Sequence, residues 1–494
     1  MNLIKKYKYL VVIFFIAVTI RFYGISTVPP GLYSDEAAIG YNAYSVLKTG
    51  RDEYGQLLPL TFRSFDDYKT PLYIYLTVPL VYLFGLNEFS VRALSALSGS
   101  LATITIYFIS LRIFSKKKLA LLTGLFLAIS PLGIVFSRGA FEANLMLFLV
   151  SVYLLISLKE TLSLKSLATL AVVSGLSIYS YHSAKLITPL FLLAFILTRQ
   201  DELKTFGKRL IIPMFIFILL MLPIATNFND FFTRGKAVSI LSSKNIPDQF
   251  VQNYLSYFSP KFLFAIGDSI GRHSVSNHGQ LYLFELPLIL VAIATLKISK
   301  KTSLFIFLLL ISPIPASVAQ PNPHALRAIS LSLIFAILSG YGLSKVLEKS
   351  KKQALLMGTA STLVVFYFFI SFLHLYFVHN PKEKGPDWGD GYKQALEYVN
   401  SHQKDYTKVA FSDYFGQAYI YALFYSKYDP LTYQKKQDYK HQFSKFEFFG
   451  ESWNKTSAGK ALVVSPFWQQ YPGNKLENIY NKKGDLVFVI SESE

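Results

Sequence analysis

Apolar runs of roughly the 20 residues needed to cross a bilayer as a helix recur from residue 9 to about residue 378, separated by short polar stretches. This pattern predicts a mainly α, polytopic membrane protein. A first span from Tyr9 to about Gly24 follows Lys5, Lys6 and Lys8, and without a convincing small-residue cleavage site it reads as retained. Further spans are expected at about 89–114, 119–136, 143–158, 166–181, 184–198, 209–226, 281–296, 302–319, 326–344 and 353–378, about 11 in all. Pro71 to Leu86 is apolar but short and carries Pro79, so it reads as a helix lying in the outer interface. The Ser34 to Leu47 stretch, with Gly50 available as a C-cap, reads as a second juxtamembrane helix in the same loop. Beyond Asn380 the apolar runs shorten. Gly391 to Ser401 has the pattern of a helix, and Lys408 to Ser412 and Ala461 to Ser465 that of short buried strands. The expected organisation is a membrane-embedded domain over 1–379 and a small extracytoplasmic α/β domain over 380–494.

Charge orients this scheme. The formal net charge of +19 resides almost entirely in the membrane part. With the N-terminus cytoplasmic, the basic loops at Lys116 to Lys118, Lys159 with Lys165, Arg199 to Arg209, Lys297 to Lys301 and Lys345 to Lys352 all face inward, as the positive-inside rule requires. The excess is therefore a topology signal of a multi-pass cell-membrane protein and not a nucleic-acid footprint, and the C-terminal domain falls outside. A hydrophobic content of 52% and a mean hydropathy of +0.36 exclude an ordinary soluble protein. The chain has no cysteine, which excludes disulfides and thiolate metal sites.

Ionisable residues avoid the span centres, where a charge costs on the order of 2.5 to 3.5 kcal/mol, and collect at the outer face. The first outer loop holds Asp35, Glu36, Asp52, Glu53, Asp66 and Asp67. Ser34 suits an N-cap, and Asp35 and Glu36 suit a first helical turn, so capping and chemistry both account for this pair. Lys69, in FDDYKTPLYIYL, is either neutralised by Asp66 and Asp67 or functional. Arg138 and Glu142, in SRGAFEANL, are four apart; they form a helical ion pair, or Gly139 breaks the helix and frees Glu142 to face a cavity. His324 and Arg327 follow Pro321 and Pro323 at an outward helix start, where an arginine opposes both the dipole and the charge bias. A bound phosphate removes both penalties; snorkelling to lipid headgroups is the plainer account. Arg272, His273 and His278, in GRHSVSNHG, are possible loop contacts to metal or phosphate.

Four of these pieces occur together in order: Asp35-Glu36, Lys69-Thr70-Pro71 followed by Leu-Tyr, the NEFSVRALSALSG run from Asn87 to Gly99, and SRGAFEANL. Over roughly residues 1 to 345 the chain thereby resembles the GT-C membrane glycosyltransferases, specifically the group of protein O-mannosyltransferases and lipid A aminoarabinose transferases. The resemblance implies an essential carboxylate at Asp35, a second acidic residue at Glu142, where relatives commonly have Asp, and a phosphate-binding lysine at Lys69, where relatives often read LysProPro. It implies transfer of a sugar from a polyprenyl-phosphate donor to an extracytoplasmic lipid, glycan or protein hydroxyl. Asp35 is then the base, with Glu36 beside it and Glu142 assisting, and Lys69, His324, Arg327 and Arg138 hold the donor phosphate. A divalent cation on Asp35 and Glu142 is compatible with two carboxylates and a phosphate. The rival of a different class is a lipid-linked saccharide flippase or transporter, for which polar groups near the bilayer midplane are expected.

Overall fold

The computed structural model describes residues 2–65, 67–237, 239–240, 245–348, 351–435, 442–451, 453, 459–469, 471 and 473–493. The chain forms two compact units, one of Met1–Tyr23 with Ser95–Tyr376, the other of Gly24–Leu94 with Phe377–Glu494.

The first unit is helical. Helices occupy each segment in which a span is expected: Asn2–Phe22, Glu88–Phe114 (whose first turns belong to the second unit), Lys117–Ile129 with Pro131–Arg138, Glu142–Ser157, Leu164–Ile178, Ala184–Lys204, Ile211–Thr226, Glu285–Thr295, Lys300–Ile311, Leu331–Val346 and Lys351–His374. By length and hydropathy, 4 helices among the described residues suffice to cross a bilayer, or 5 if the pair Lys117–Ile129 and Pro131–Arg138, bent by 50°, counts as one. Pro131 causes the bend, since it cannot donate to the preceding turn, and Ser130 caps the new helix by accepting from the Gly133 backbone N–H. Leu331–Val346 is buried from Leu331 to Leu343. Gly340 lets it approach the Thr123 backbone and Gly342 the Leu288 carbonyl, where any side chain would collide. In contrast, Ile211, Met214, Phe215, Leu355, Leu363 and Phe366 point outward and uncovered. Such continuous apolar faces are at home in lipid, not water.

The second unit is α/β. Ser34–Thr49 ends at Gly50, whose φ of 69° supplies the left-handed cap. Its apolar face is fully buried at Ala37, Ala38, Ile39 and Tyr41, and Gly40 receives Phe424 and Val91, which a Cβ would displace. The hairpin Phe62–Ser64 and Asp67–Lys69 sets Phe62 opposite Lys69. Pro71–Phe84 has 14 residues, too short to cross a bilayer. The later chain supplies a six-stranded sheet in the order Gln442–Phe443, Phe446–Phe449, Lys408–Ser412, Ala461–Pro466, Leu486–Ser493, Asn474–Tyr480. Lys408–Ser412 runs parallel to both neighbours, and Leu486–Ser493 antiparallel to both of its own. The expected helix is Tyr392–His402, and Tyr392 stacks on Tyr421 at 4.1 Å to close the core over the sheet.

Candidate active site

In the second unit the helix Ser34–Thr49 begins one residue earlier than Ser34 as a cap predicts. Tyr33 is the N-cap, and its backbone N–H donates to the Glu36 carboxylate at 3.3 Å. Asp35 therefore lies in the first turn, about a third exposed, and its carboxylate pairs with the buried ammonium of Lys69. Lys69 ends the hairpin, and the Thr70-Pro71 step that follows is the N-cap and first residue of the next helix. The sequence links Lys69 to Asp66 and Asp67; the structure gives it to Asp35, and Asp66 lies outside the described residues.

Glu36 has a different setting from its neighbour. Both its oxygens take hydrogen bonds from Arg92, 2.8 Å from Nε and 2.8 Å from Nη2, and both side chains are fully buried. Arg92 also donates to the carbonyls of Ile25 at 2.9 Å, Pro29 at 3.0 Å and Gly31, and the Trp388 ring covers it at 5.6 Å. One guanidinium thus shapes the loop leading to Asp35. Glu36 is its counter-charge, a structural setting rather than the catalytic one expected from its place beside Asp35.

In the first unit the helix does break at Gly139, as the loop reading of SRGAFEANL expects, and Glu142 opens Glu142–Ser157. Arg138 is fully buried, donates to the carbonyls of Ile20 and, at 3.1 Å, Arg21, and sits 5.5 Å from the Tyr376 ring. It neutralises the end of the first helix, a different setting from an exposed phosphate ligand. Arg21 in turn bonds Ser137 Oγ and the carbonyls of Leu127 and Ala128. Asn144 donates to Ser95 O and Ser137 Oγ, and a Cβ on Gly99 would strike Ser137. Two of the four recognisable motifs therefore meet here as packing.

His278 donates to Gly279 O at 2.7 Å and packs on Phe372 at 5.0 Å, also a packing role. His273 and His324 stack, with ring centroids 4.6 Å apart, and Arg272 is half-buried beside them. Burial pushes the His273 pKa below its ordinary value, with Arg272 and Arg327 acting in the same direction and the hydrogen bond that His273 donates to Asp268 opposing. Arg327 lies three residues beyond His324, in the turn Ala325–Ala328. It donates to Gln320 O at 2.7 Å and lines an apolar cavity of about 510 Å³ whose walls include Tyr181, Phe231, Phe250 and Val318. Among the described residues a second cation on its wall is Lys185, bonded to Phe231 O and lying 3.7 Å from the Phe231 ring centroid, with His182 Nδ1 at 3.0 Å. An apolar chamber with an arginine and a lysine on its wall suits a molecule with a long hydrocarbon and an anionic head.

Residues 68–226 match the family described as dolichyl-phosphate-mannose-protein mannosyltransferase. ArnT from Cupriavidus metallidurans, solved bound to undecaprenyl phosphate, superposes with a TM-score of 0.62 at 14% identity, covering 98% of each chain. The archaeal oligosaccharyltransferase AglB from Archaeoglobus fulgidus, solved with an inhibitory peptide and a dolichol-phosphate, gives 0.53 at 13% identity over 86% of this chain and 64% of its own. The protein has the GT-C glycosyltransferase fold. No curated protein sequence matches it.

Sequence reasoning missed Lys185, Arg92 as an organiser, and Asp268. Lys185 was within reach of the argument used for Arg327, since a lysine beside a histidine at the outer start of an apolar helix also opposes the charge bias. A further buried carboxylate stands out in the loop that follows Ser34–Thr49. Glu53 is fully buried, and burial pushes its pKa up to about 8, with Asp52 adding to the rise and Asn42, Lys69 and Arg63 opposing it. Its usual value is 4.5, so between the two values the folded protein keeps a proton that the unfolded chain has lost. The stabilisation is complete below the lower value and lost as pH rises through the upper, on the order of a few kcal/mol. Thermal stability of wild type should therefore fall between about pH 5 and about pH 8 by more than that of Glu53→Gln. Parallel pH profiles for the two proteins, followed by tryptophan fluorescence on heating, would show that Glu53 is not the titrating group.

Proposed function

We propose that the protein moves a sugar from a polyprenyl-phosphate donor to a hydroxyl on an extracytoplasmic lipid, glycan or protein acceptor. The observation that carries this is the apolar cavity with Arg327 and Lys185 on its wall. Lipid would occupy the apolar part and the phosphate the two cations. Transfer requires the acceptor oxygen to attack the anomeric carbon as the bond from that carbon to the phosphate oxygen breaks. Polyprenyl phosphate leaves, and the hydroxyl proton passes to a base. Asp35 is assigned as that base, Lys69 as its partner and a holder of phosphate charge, and Glu142 as a group that orients the acceptor. His324 and Arg138 are not retained as phosphate ligands, because each is engaged elsewhere in its own unit.

The topology proposed with it has about eleven spans, a cytoplasmic N-terminus and residues 380–494 outside the cell membrane. Each expected span coincides with a helix, which supports the count.

The test is binding of a labelled polyprenyl-phosphate monosaccharide to the full chain in nanodiscs. Arg327→Ala and Lys185→Ala should each weaken binding about tenfold to a hundredfold, the scale of one lost charge-assisted hydrogen bond. Unchanged affinity in the double variant would remove the cavity from the reaction. Movement of the labelled sugar across a bilayer without transfer would favour the transporter reading.

A further inference from the structure

Asp268, His273 and His324 meet in the first unit although the sequence separates them. Asp268 and His273 come from the loop that follows Ile211–Thr226, and His324 from the Pro-rich turn before Leu331–Val346. Their exposures are 3%, 4% and 8%, and one ligand atom from each lies within 4.8 Å of the others. Asp268 Oδ2 is 3.0 Å from His273 Nδ1 and also accepts from the Ala325 backbone N–H at 2.7 Å. The set is held from outside. Phe136 and Phe141 pack on His273 at 5.4 and 5.9 Å, and the His324 backbone N–H donates to Tyr257 Oη at 3.1 Å, which donates to Asn322 Oδ1 at 2.7 Å.

Buried imidazoles are costly to isolate, and three converging ligand groups from two loops exceed what a single packing contact needs. Two imidazoles and one carboxylate form a ligand set for zinc and neighbouring first-row ions; magnesium and calcium prefer oxygen throughout. Ligand atoms about 2.0 to 2.2 Å from zinc lie roughly 3.3 to 3.6 Å apart in a tetrahedron, so a set whose ligand atoms lie within 4.8 Å of one another needs only a small adjustment. The structure assigns a site for one zinc-type dication to Asp268, His273 and His324, with one position left for water. This ion would tie the long outer loop to the Pro-rich turn. Resting on the donor-cavity reading above, it would also fix the backbone three residues before Arg327 and so set where that guanidinium stands.

The decisive experiment uses the full chain in nanodiscs, purified without a polyhistidine tag, stripped with EDTA and titrated with Co²⁺ and then Zn²⁺. Wild type should take up one equivalent of Co²⁺ with visible d–d absorption, and Zn²⁺ should displace it. Asp268→Asn and His273→Ala should lower the affinity at least tenfold, the lower end of the range seen even for outer-shell ligand partners, while His278→Ala should not. Wild type that binds no more than background overturns the site whatever the variants do, as does equal binding by all three variants. Measuring polyprenyl-phosphate affinity on the same stripped and loaded samples separates the two ideas. A bound ion that leaves that affinity unchanged would refute the link to Arg327 while the metal site stands. An ion without any lipid-phosphate binding would refute the donor reading alone.

Discussion

Asp35→Asn is expected to lower sugar transfer about a thousandfold while leaving the protein folded. General-base catalysis is worth roughly a hundredfold to ten-thousandfold, and an amide of the same shape cannot take the proton. The structural cost of the change is small. Asp35 is about a third exposed, and the Asn amide oxygen can still accept from the buried Lys69 ammonium, so that charge keeps a polar partner. Donor binding, read with the labelled lipid, should change far less than transfer, because the variant removes proton acceptance and keeps the cavity cations. Transfer by Asp35→Asn within a few-fold of wild type, at equal protein and equal melting temperature, would reduce Asp35 to a helix-dipole partner of Lys69.

The second large effect falls on stability. Arg92→Ala should destabilise the second unit by about 3 to 5 kcal/mol, because it leaves Glu36 as a buried unpaired charge and strips donors from the carbonyls of Ile25, Pro29 and Gly31. Replacing both charges, Arg92→Met with Glu36→Gln, should recover part of that loss, since the desolvation penalty of the pair disappears with it. Proteolysis of the 24–36 segment before and after mild heating reads this without assuming a single transition. An Arg92→Ala protein as resistant as wild type would show that the loop is shaped by Trp388 and the backbone alone.

The contrast between Asp35 and Glu36 marks what was legible. A local pattern predicts a helix from Ser34 to about Leu47 with Gly50 available as its cap, two residues short of the observed end at Thr49, because caps and apolar periodicity are properties of neighbouring residues. The same local view could not separate the two carboxylates, since what distinguishes them is Lys69 in one case and Arg92 in the other, both far along the chain. Lys408–Ser412 and Ala461–Pro466 were readable for the opposite reason: buried parallel strands announce themselves as short apolar runs. His324 and Arg327 looked like one phosphate site because three residues in a helix make one face. Here Ala325–Ala328 is a single 3₁₀ turn; the His324 ring stacks on His273, while Arg327 donates to Gln320 O and lines the cavity. Asp268 carried no local signal, as a lone acidic residue in a loop has none.

The second unit is assembled from the start and the end of the chain, and this has a consequence for biosynthesis. Gly24–Leu94 is made early, but Ala418–Tyr425 and the sheet that complete its core come from Phe377–Glu494. All of Ser95–Tyr376 must be synthesised and inserted between the two. Throughout that interval the buried face of Ser34–Thr49, including the pocket at Gly40 that Phe424 fills, has no native cover. The loop that carries Asp35 is thus translated among the first and finished among the last, so a chain truncated before the C-terminal sheet would hold the span helices and lack an ordered Asp35 loop.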